Sequence, residues 1–468
     1  MNRKSMKPLS LTTTRRSLLQ KSALLGAGAA GMTALHAPLG HSAMAQDSVD
    51  ISMMGWGSPL EQQNVESGLQ VFQEANPNIS VEWIHVPDEY DTKLKTAIAG
   101  GTAPDVFWAT NLQDFVAIGA VKDITADLAA DPILGAADYF LEPQETERAT
   151  VNGKWFGIGS CWVAPHLYYN TDLLAAAGVE PPSSDPTQAW TWDEFLEAGR
   201  LLTIDSEGRH PGEEGFDIDN VAQWGVSWPT YFIALSAAIY SNGGYTYGTD
   251  YTSGWGMPES IEAIQRVADL QLVHQIAPVP AAFEQMGMDA WTALATGNVA
   301  IIVDGSWALQ DIAKLDFAFG CGVLPVLVEP ATVMLAHCHV ISADTDQPEA
   351  AWTLLQYLSS NEYQLGLCQA GLWLPSHTSL LTEEGLGEWL TPDVHPEGYG
   401  QIASEYVYQY GKTLLYPAGY SEADQILVAA LDPVWIGDQT AQEALIDSGV
   451  AEQVSALLLE KQKLIEAV

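Results

Sequence analysis

The stretch that decides the fold is residues 49–61, VDISMMGWGSPLE. Val49 to Met54 predicts a strand, and the following Gly55-Trp56-Gly57 predicts a loop. Ser58 can cap a helix, Pro59 suits its first position, and Glu61 completes a capping box. The segment therefore predicts a strand, a loop and the start of a helix within thirteen residues.

The pattern continues downstream as a βαβαβ unit. A second strand is predicted at 79–83, a second helix at 90–99 and a third strand at 105–109. Such a unit forms a mostly parallel sheet with right-handed crossovers, so the sequence predicts an α/β fold. Ligands bind such sheets beyond the carboxyl ends of the strands, and this rule selects Trp56 to Ser58 and Trp108 to Asp114.

A second α/β pattern occupies the middle of the chain. Thr191-Trp192-Asp193-Glu194 is another capping box. An apolar helix is predicted at 231–240, and it ends at Asn242-Gly243-Gly244. A strand at 299–303 leads into Asp304-Gly305-Ser306-Trp307. Helices are predicted for 423–468.

Composition limits the range of functions. The chain has 468 residues, with 18 Lys and Arg against 59 Asp and Glu and a formal net charge of −41. This length predicts two or three domains. Charged residues make up 16% of the chain, below the roughly 25% of ordinary soluble domains. With so few cations, nucleic acid is excluded as a partner, anionic lipid is disfavoured, and a phosphorylated ligand would be hard to hold.

Tryptophan is abundant, with 16 copies, and several of them lie where a strand or extended run meets a turn. An exposed indole is stable where it stacks on a ligand, and sugar rings offer apolar C–H faces with polar edges. The alternative for any single indole is ordinary packing. The residues concerned are Trp56, Trp108, Trp162, Trp307 and Trp373.

No catalytic signature is present: the chain lacks a phosphate-binding Gly-Lys-Ser/Thr loop, an HExxH motif and a G-x-S-x-G elbow. His337 and His339 share one face of a predicted strand, but no third ligand is apparent. We therefore expect no metal and no cofactor. An exported sugar hydrolase stays open as an alternative, because a pair of catalytic carboxylates could be drawn from the 59 acidic residues.

The first 45 residues predict an export signal. Adjacent arginines, Arg15 and Arg16, precede a weakly apolar run, and Ala43-Met44-Ala45 is a small-x-small cleavage signal. The pattern is of the twin-arginine type and predicts removal of residues 1–45 and a periplasmic location. An uncleaved membrane anchor is the alternative.

An ordered set of short motifs resembles the extracellular solute-binding proteins of carbohydrate ABC transporters, a family that includes maltose-binding protein. The resemblance covers nearly all of the chain after the signal. The motifs are Gly100-Gly101-Thr102-Ala103-Pro104-Asp105-Val106, Asn152-Gly153-Lys154-Trp155, Leu167-Tyr168-Tyr169-Asn170-Thr171-Asp172-Leu173, Asn242-Gly243-Gly244, Gly305-Ser306-Trp307, Pro348-Glu349-Ala350-Ala351-Trp352 and Gly371-Leu372-Trp373-Leu374-Pro375.

The resemblance implies two α/β lobes, each a mainly parallel sheet flanked by helices, with a hinge that the chain crosses several times. The first lobe would be 46–161 with 325–371, and the second 162–324 with 372–468. A carbohydrate would lie between the lobes and pass to the membrane permease subunits, and the protein would be a monomer without enzymatic activity. A binder of a peptide, polyamine or other non-sugar solute stays open as a further alternative.

The resemblance also implies ligand contacts. Family contacts fall in loops that match the following residues: Trp56, Ser58, Trp108, Asn111, Asp114, Trp162, Tyr240, Gly243, Gly244, Asp304, Trp307, Trp373, and, on a looser alignment, Tyr416 and Tyr420.

The four cysteines allow three pairings or none. Because export permits disulfides and the crossing segments of the family run side by side, Cys161–Cys321 and Cys338–Cys368 are the expected pairs, with four buried thiols as the alternative.

Overall fold

The computed structural model describes residues 48–136, 138–159, 161–279, 282 and 287–466. The export signal predicted for residues 1–45 lies outside them. Fourteen strands are described: β1 Val49–Gly55, β2 Ile79–His85, β3 Val106–Ala109, β4 Thr150–Val151, β5 Lys154–Trp155, β6 Ile158–Gly159, β7 Pro165–Asn170, β8 Ile204–Asp205, β9 Val221–Ser227, β10 Val299–Gly305, β11 Phe319–Gly322, β12 Thr332–Met334, β13 Cys338–Ile341 and β14 Gly411–Thr413.

The described helices are α1 Pro59–Ala75, α2 Tyr90–Ala99, α3 Leu112–Ala117, α4 Thr125–Ala130, α5 Gln144–Ala149, α6 Thr171–Ala177, α7 Trp192–Leu202, α8 Phe232–Ser241, α9 Pro258–Leu272, α10 Ala290–Ala295, α11 Leu309–Ile312, α12 Pro348–Leu358, α13 Asn361–Gln369, α14 Glu383–Trp389, α15 Tyr399–Gln401, α16 Tyr408–Tyr410, α17 Tyr420–Trp435 and α18 Val450–Ile465. Short 3₁₀ turns lie at Pro186–Gln188, Ile218–Asn220, Ser306–Ala308 and Thr378–Leu381, and π-helical turns at Ile402–Val407 and Glu443–Asp447.

Local sequence signals set the starts of the main helices as predicted. The Ser58 hydroxyl accepts a hydrogen bond from the Glu61 N–H over 3.2 Å at the start of α1. At α7, Thr191 and Glu194 form both halves of the capping box. These contacts satisfy backbone donors that have no partner inside the helix.

The first sheet has the strand order β2-β1-β3-β13-β6. The predicted βαβαβ unit supplies its parallel part, because β1 pairs in parallel with both β2 and β3. The returning strand β13 then runs antiparallel to β3 and β6. We call this sheet and the elements packed on it the first lobe.

The second sheet has the order β11-β7-β10-β9-β8 and forms the centre of the second lobe. Here the expectation of a mainly parallel sheet is wrong. Only β9 and β10 pair in parallel, while β7 is antiparallel to β10 and β11 and β8 is antiparallel to β9. The strand β7 enters directly from the crossing segment without a helical crossover, so it can take the antiparallel direction.

Three crossing segments run side by side between the two sheets. Val163 pairs with Leu335, and Trp162 pairs with Leu374, each as an isolated antiparallel bridge. The N–H groups of Trp162 and Leu374 donate to each other's carbonyl oxygens over 2.8 and 2.9 Å. The connection between the lobes is therefore a set of neighbouring strands, as the resemblance implied.

The expected disulfides are absent, because all four cysteines are free and buried. Cys321 lies in β11 opposite Tyr168, seven residues along the extended chain from Cys161. At about 3.3 Å per residue this separates the two cysteines by roughly 20 Å, far more than a disulfide can span. Cys338 and Cys368 are likewise unpaired, in β13 and α13.

Candidate functional site

Aromatic rings line the carboxyl end of the first sheet. Trp56, in the loop after β1, packs edge-on against Tyr90, Trp108 and His337 with ring centroids 4.8, 5.0 and 5.3 Å apart. Trp373, from the third crossing segment, lies 6.4 Å from Trp108. The fold thus brings together three of the five tryptophans that the sequence selected.

Most of these indoles do not face a cavity. Trp108 and Trp162 are fully buried and Trp373 is 3% exposed, whereas Trp56 and Trp307 are half-buried. The sequence left ordinary packing open for any single indole, and three of the five selected tryptophans are packed in this way. Protein contacts cover the ring faces of the other three indoles. Of the five selected tryptophans, Trp56 and Trp307 therefore keep accessible surface.

Glycine makes the close packing at Trp108 possible. A Cβ at Gly55 would lie 2.5 Å from the Trp83 ring and 2.6 Å from the Trp108 ring. A side chain at this position would displace both indoles, so the last residue of β1 has to be small for the cluster to form.

The second lobe contributes a cavity of about 780 Å³ at the carboxyl ends of β9 and β10. Its walls include Trp228 and Tyr231 after β9, Asp304 at the end of β10, Asp289 before α10, and Gln271. No Lys, Arg or His occurs among the described residues that line it. The cavity combines apolar rings with carboxylates and an amide, a composition suited to an uncharged, hydroxyl-rich ligand.

Asp289 and Asp304 line this cavity, Asp311 lies within electrostatic reach of Asp289, and Glu61 lies within reach of Asp311. Glu61 lies in the first turn of α1 in the first lobe, and the other three, Asp289, Asp304 and Asp311, lie in the second lobe. Burial, with a smaller contribution from Asp311, raises the pKa of Glu61 to about 8. Burial also raises the pKa of Asp304 to about 6, although its carboxylate accepts a 2.7 Å hydrogen bond from Trp291 Nε1. The shared cause is that Glu61 and Asp304 have lost water without gaining a cationic partner.

The first crossing segment is fixed by a buried ion pair. Arg148 and Glu145 form an ion pair with side chains 5% and 0% exposed. The guanidinium of Arg148 lies 3.7 Å from the Trp162 ring centroid and donates to the Cys161 carbonyl over 2.6 Å. Glu145 accepts from the Gly159 N–H over 2.7 Å. Trp162 is thus a structural residue of the hinge.

Several predicted contacts are engaged within the protein. Ser58 caps α1. Asn111 is buried and donates to the Asp114 carboxylate over 2.7 Å. The same carboxylate accepts from Lys95 Nζ over 3.2 Å and from the Gly419 N–H over 2.9 Å. Tyr420 is the first residue of α17 and packs on Phe232, 5.0 Å between ring centroids.

Tyr240, Gly243 and Gly244 do not reach this cavity. Gly243 and Gly244 end α8 by donating to the Tyr240 and Ile239 carbonyls, and Gly243 has a φ of 84°. Tyr240 instead lines a separate groove of about 590 Å³ together with Tyr245 and Tyr247. This groove also contains Pro143, Gln144 and Glu147 from the first lobe, so contact of Tyr240, Gly243 and Gly244 with a ligand between the lobes stays a prediction.

Sequence reasoning missed three residues of the site. Tyr231 lies at the start of α8, beside Asp304. Glu61 was assigned only to a helix cap, and His337 only to a strand. Tyr231 could have been found from its place in the loop after β9, because ligands bind beyond the carboxyl ends of strands, the rule that also selected Trp56. His337 carried no signal, because its stacking on Trp108 joins distant parts of the chain.

Other kinds of site are not supported by the described residues. No group of three or more His, Cys, Asp or Glu side chains among them is arranged to hold a metal ion. Within the same part of the chain, no helix has the length and apolarity needed to cross a membrane.

Two lobes joined by neighbouring crossing strands, with a cavity at the strand ends of the second lobe, are the architecture of a solute-binding protein. The chain belongs to the bacterial extracellular solute-binding protein family, whose sequence profile matches residues 56–365. A binding protein of Brucella abortus is 22% identical over 314 residues, which are 65% of this chain and 71% of that protein.

Solved structures share the fold. An ABC substrate-binding protein of Listeria monocytogenes, in complex with cycloalternan, has a TM-score of 0.75 at 23% identity and covers 88% of this chain and 99% of its own. A maltose-bound protein of T. maritima has a TM-score of 0.71 at 22% identity and covers 88% of this chain and all of its own. The two-lobed α/β fold predicted from the sequence is confirmed.

Proposed function

We propose that the protein captures a neutral carbohydrate between its two lobes and delivers it to the permease subunits of an ABC transporter. The observation that carries this proposal is the cavity of about 780 Å³ at the strand ends of the second lobe, with aromatic and carboxylate walls and no cation among its described residues. Its described walls belong to the second lobe, and the first lobe would close over the ligand held there. Carboxylates accept hydrogen bonds from sugar hydroxyls, and indoles cover the C–H faces of the ring. The similar proteins of Listeria and T. maritima hold cycloalternan and maltose.

The proposal extends to the remaining features of the chain. The lobes comprise 46–161 with 325–371 and 162–324 with 372–468. Residues 1–45 direct export by the twin-arginine route to the periplasm. The protein acts as a monomer, without catalysis and without nucleic acid. Closure follows from contacts that the ligand makes only when the lobes are together, which shifts the population toward the closed state.

Mass spectrometry of small molecules that co-purify with the protein, followed by tryptophan-fluorescence titration, tests the ligand class. We expect a neutral mono- or oligosaccharide to bind, and its phosphorylated form to bind more weakly, because a buried phosphate without a cation loses its solvation. Tighter binding of the sugar phosphate would contradict the proposed chemistry. Saturable binding of spermidine with no response to sugars would favour a polyamine, and turnover of an oligosaccharide would favour a hydrolase.

A further inference from the structure

Two side chains of the first lobe hold the start of a second-lobe helix. Gln113 Oε1 accepts a hydrogen bond from the Ala418 N–H over 3.0 Å, and Asp114 Oδ1 accepts one from the Gly419 N–H over 2.9 Å. Gln113 and Asp114 belong to α3, while Ala418 and Gly419 immediately precede α17. The two pairs are each separated by 305 residues in the chain.

The helices joined by these two hydrogen bonds belong to different lobes. On one side, α3 follows β3 of the first sheet, and its Phe115 packs on Phe107 of that strand, 5.4 Å between centroids. On the other side, α17 packs against α9 and α18, and its first residue Tyr420 contacts Phe232 of α8. The two hydrogen bonds therefore join α3 of the first lobe to α17 of the second, where α18 also contacts α3.

The start of α17 has no capping side chain of its own. Its N-cap is Gly419, with a φ of 84° and no side chain to cap the helix. Unpaired N–H groups and the positive end of the helix dipole favour a carboxylate at this place. Asp114 supplies that carboxylate from the opposite lobe.

The Asp114 carboxylate is held in place before it meets α17. Its second oxygen accepts from Asn111 Nδ2 over 2.7 Å and from Lys95 Nζ over 3.2 Å. Both donors belong to the first lobe, so the carboxylate is oriented without help from the second lobe. Three donors leave it little capacity to bind a ligand directly.

We propose that Gln113 and Asp114 form a latch that reaches across to α17 when the lobes close and that sets how long the ligand stays bound. The inference rests on the proposed function and assigns two positioning residues to it. Lobe separation breaks both hydrogen bonds, so they are contacts that differ between the open and closed states and bias that equilibrium. Their loss should speed ligand dissociation and leave association nearly unchanged.

The test compares Asp114→Ala, Gln113→Ala and the double variant with Asp127→Ala. Asp127 is the matched control, because it is a helical aspartate paired with Lys122 inside the first lobe. With maltose as the probe, stopped-flow fluorescence should show dissociation about tenfold faster for Asp114→Ala, as expected for a hydrogen bond to a charged group. Asp114→Asn keeps an acceptor and should lie between Asp114→Ala and the wild type, and Asp127→Ala should match the wild type.

A second measurement does not depend on the sugar. Small-angle scattering of the ligand-free protein should give a larger radius of gyration for the double variant than for wild type. Gln113→Ala, which keeps the contacts of Asp114 with Asn111 and Lys95, should have the wild-type midpoint of thermal unfolding. Equal radii of gyration for the double variant and the wild type would overturn the latch. Unchanged dissociation rates with a lowered midpoint of thermal unfolding would also overturn it, because the two hydrogen bonds would then stabilise the fold and not the closed state. Failure of the wild type to bind any sugar would overturn the proposed function, while the scattering result still decides the latch.

Discussion

The indole of Trp108 lies flat on the imidazole of His337, with ring centroids 4.0 Å apart and planes inclined by 14°. Burial keeps His337 neutral by lowering its pKa well below the usual value. The stack is therefore one of two uncharged rings, closed on its other sides by Trp56 and Trp373. Trp108 is a packing residue of the first lobe.

Trp108→Ala should lower the free energy of unfolding by about 3–5 kcal/mol, because it leaves a large cavity in a fully packed cluster. Chemical denaturation measures this change. Trp108→Phe retains most of the volume and should cost less than the alanine variant. A loss under about 1 kcal/mol for alanine would mean that the ring does not contribute to the core as its burial indicates.

Trp307→Ala should weaken sugar binding by about 1–3 kcal/mol, on the scale of aromatic stacking against a flat ring. Trp307 follows β10 and is half-buried beside Asp304, a residue of the cavity wall. Isothermal titration with the co-purifying sugar measures the effect. Trp352→Ala removes a half-buried indole of α12 and should leave the affinity unchanged. Equal affinities for wild type and Trp307→Ala would exclude this indole from the site.

Arg148→Met or Glu145→Gln should each destabilise the protein by about 3–5 kcal/mol, because each leaves a buried polar partner uncompensated. The pair Arg200–Glu197 is the matched control, since its side chains are 37% and 57% exposed. Arg200→Ala should cost at most about 1 kcal/mol. Thermal unfolding of the three variants gives the comparison, and equal losses at the two arginines would contradict the role assigned to burial.

Glu61→Gln should make stability less dependent on pH. The folded-state pKa of Glu61 is about 8 and its ordinary value is 4.5, so the folded state binds the proton more tightly than the unfolded chain. The stability that the Glu61 carboxyl contributes to the wild type is therefore fully present below pH 4.5 and is lost as the pH rises toward 8. The variant should gain stability over wild type across that window in unfolding experiments. Glu66→Gln, an exposed change in the same helix, is the control, and an identical pH profile for wild type and Glu61→Gln would refute the assignment.

All four cysteines should titrate as free thiols once the protein is unfolded, without prior reduction. In the native state none should react quickly, because they are buried and burial raises the pKa of the Cys338 thiol to about 12. Thiol counting with and without denaturant checks both statements. Fewer than four thiols in the denatured, unreduced protein would show that a disulfide forms.

Local sequence patterns determined much of this fold. The strand–loop–helix order of residues 49–61, the cap at Ser58 and the capping box at Thr191 appear in the structure as predicted. Each depends on contacts between residues a few positions apart, so the sequence contains both partners side by side. The place of Trp56 at the end of a strand follows from the same local order.

Tertiary structure alone decided which of the candidate residues face a cavity. Trp108 meets His337, and Asp114 meets Gly419, across hundreds of residues of chain. Cys321 is carried away from Cys161 by the antiparallel pairing of β11 with β7. Such contacts depend on strand direction and on the path of the crossing segments, which no short pattern encodes. An indole at a strand end looks the same in sequence whether the surrounding structure covers it or leaves it open. Only its burial in the folded protein distinguishes the two cases.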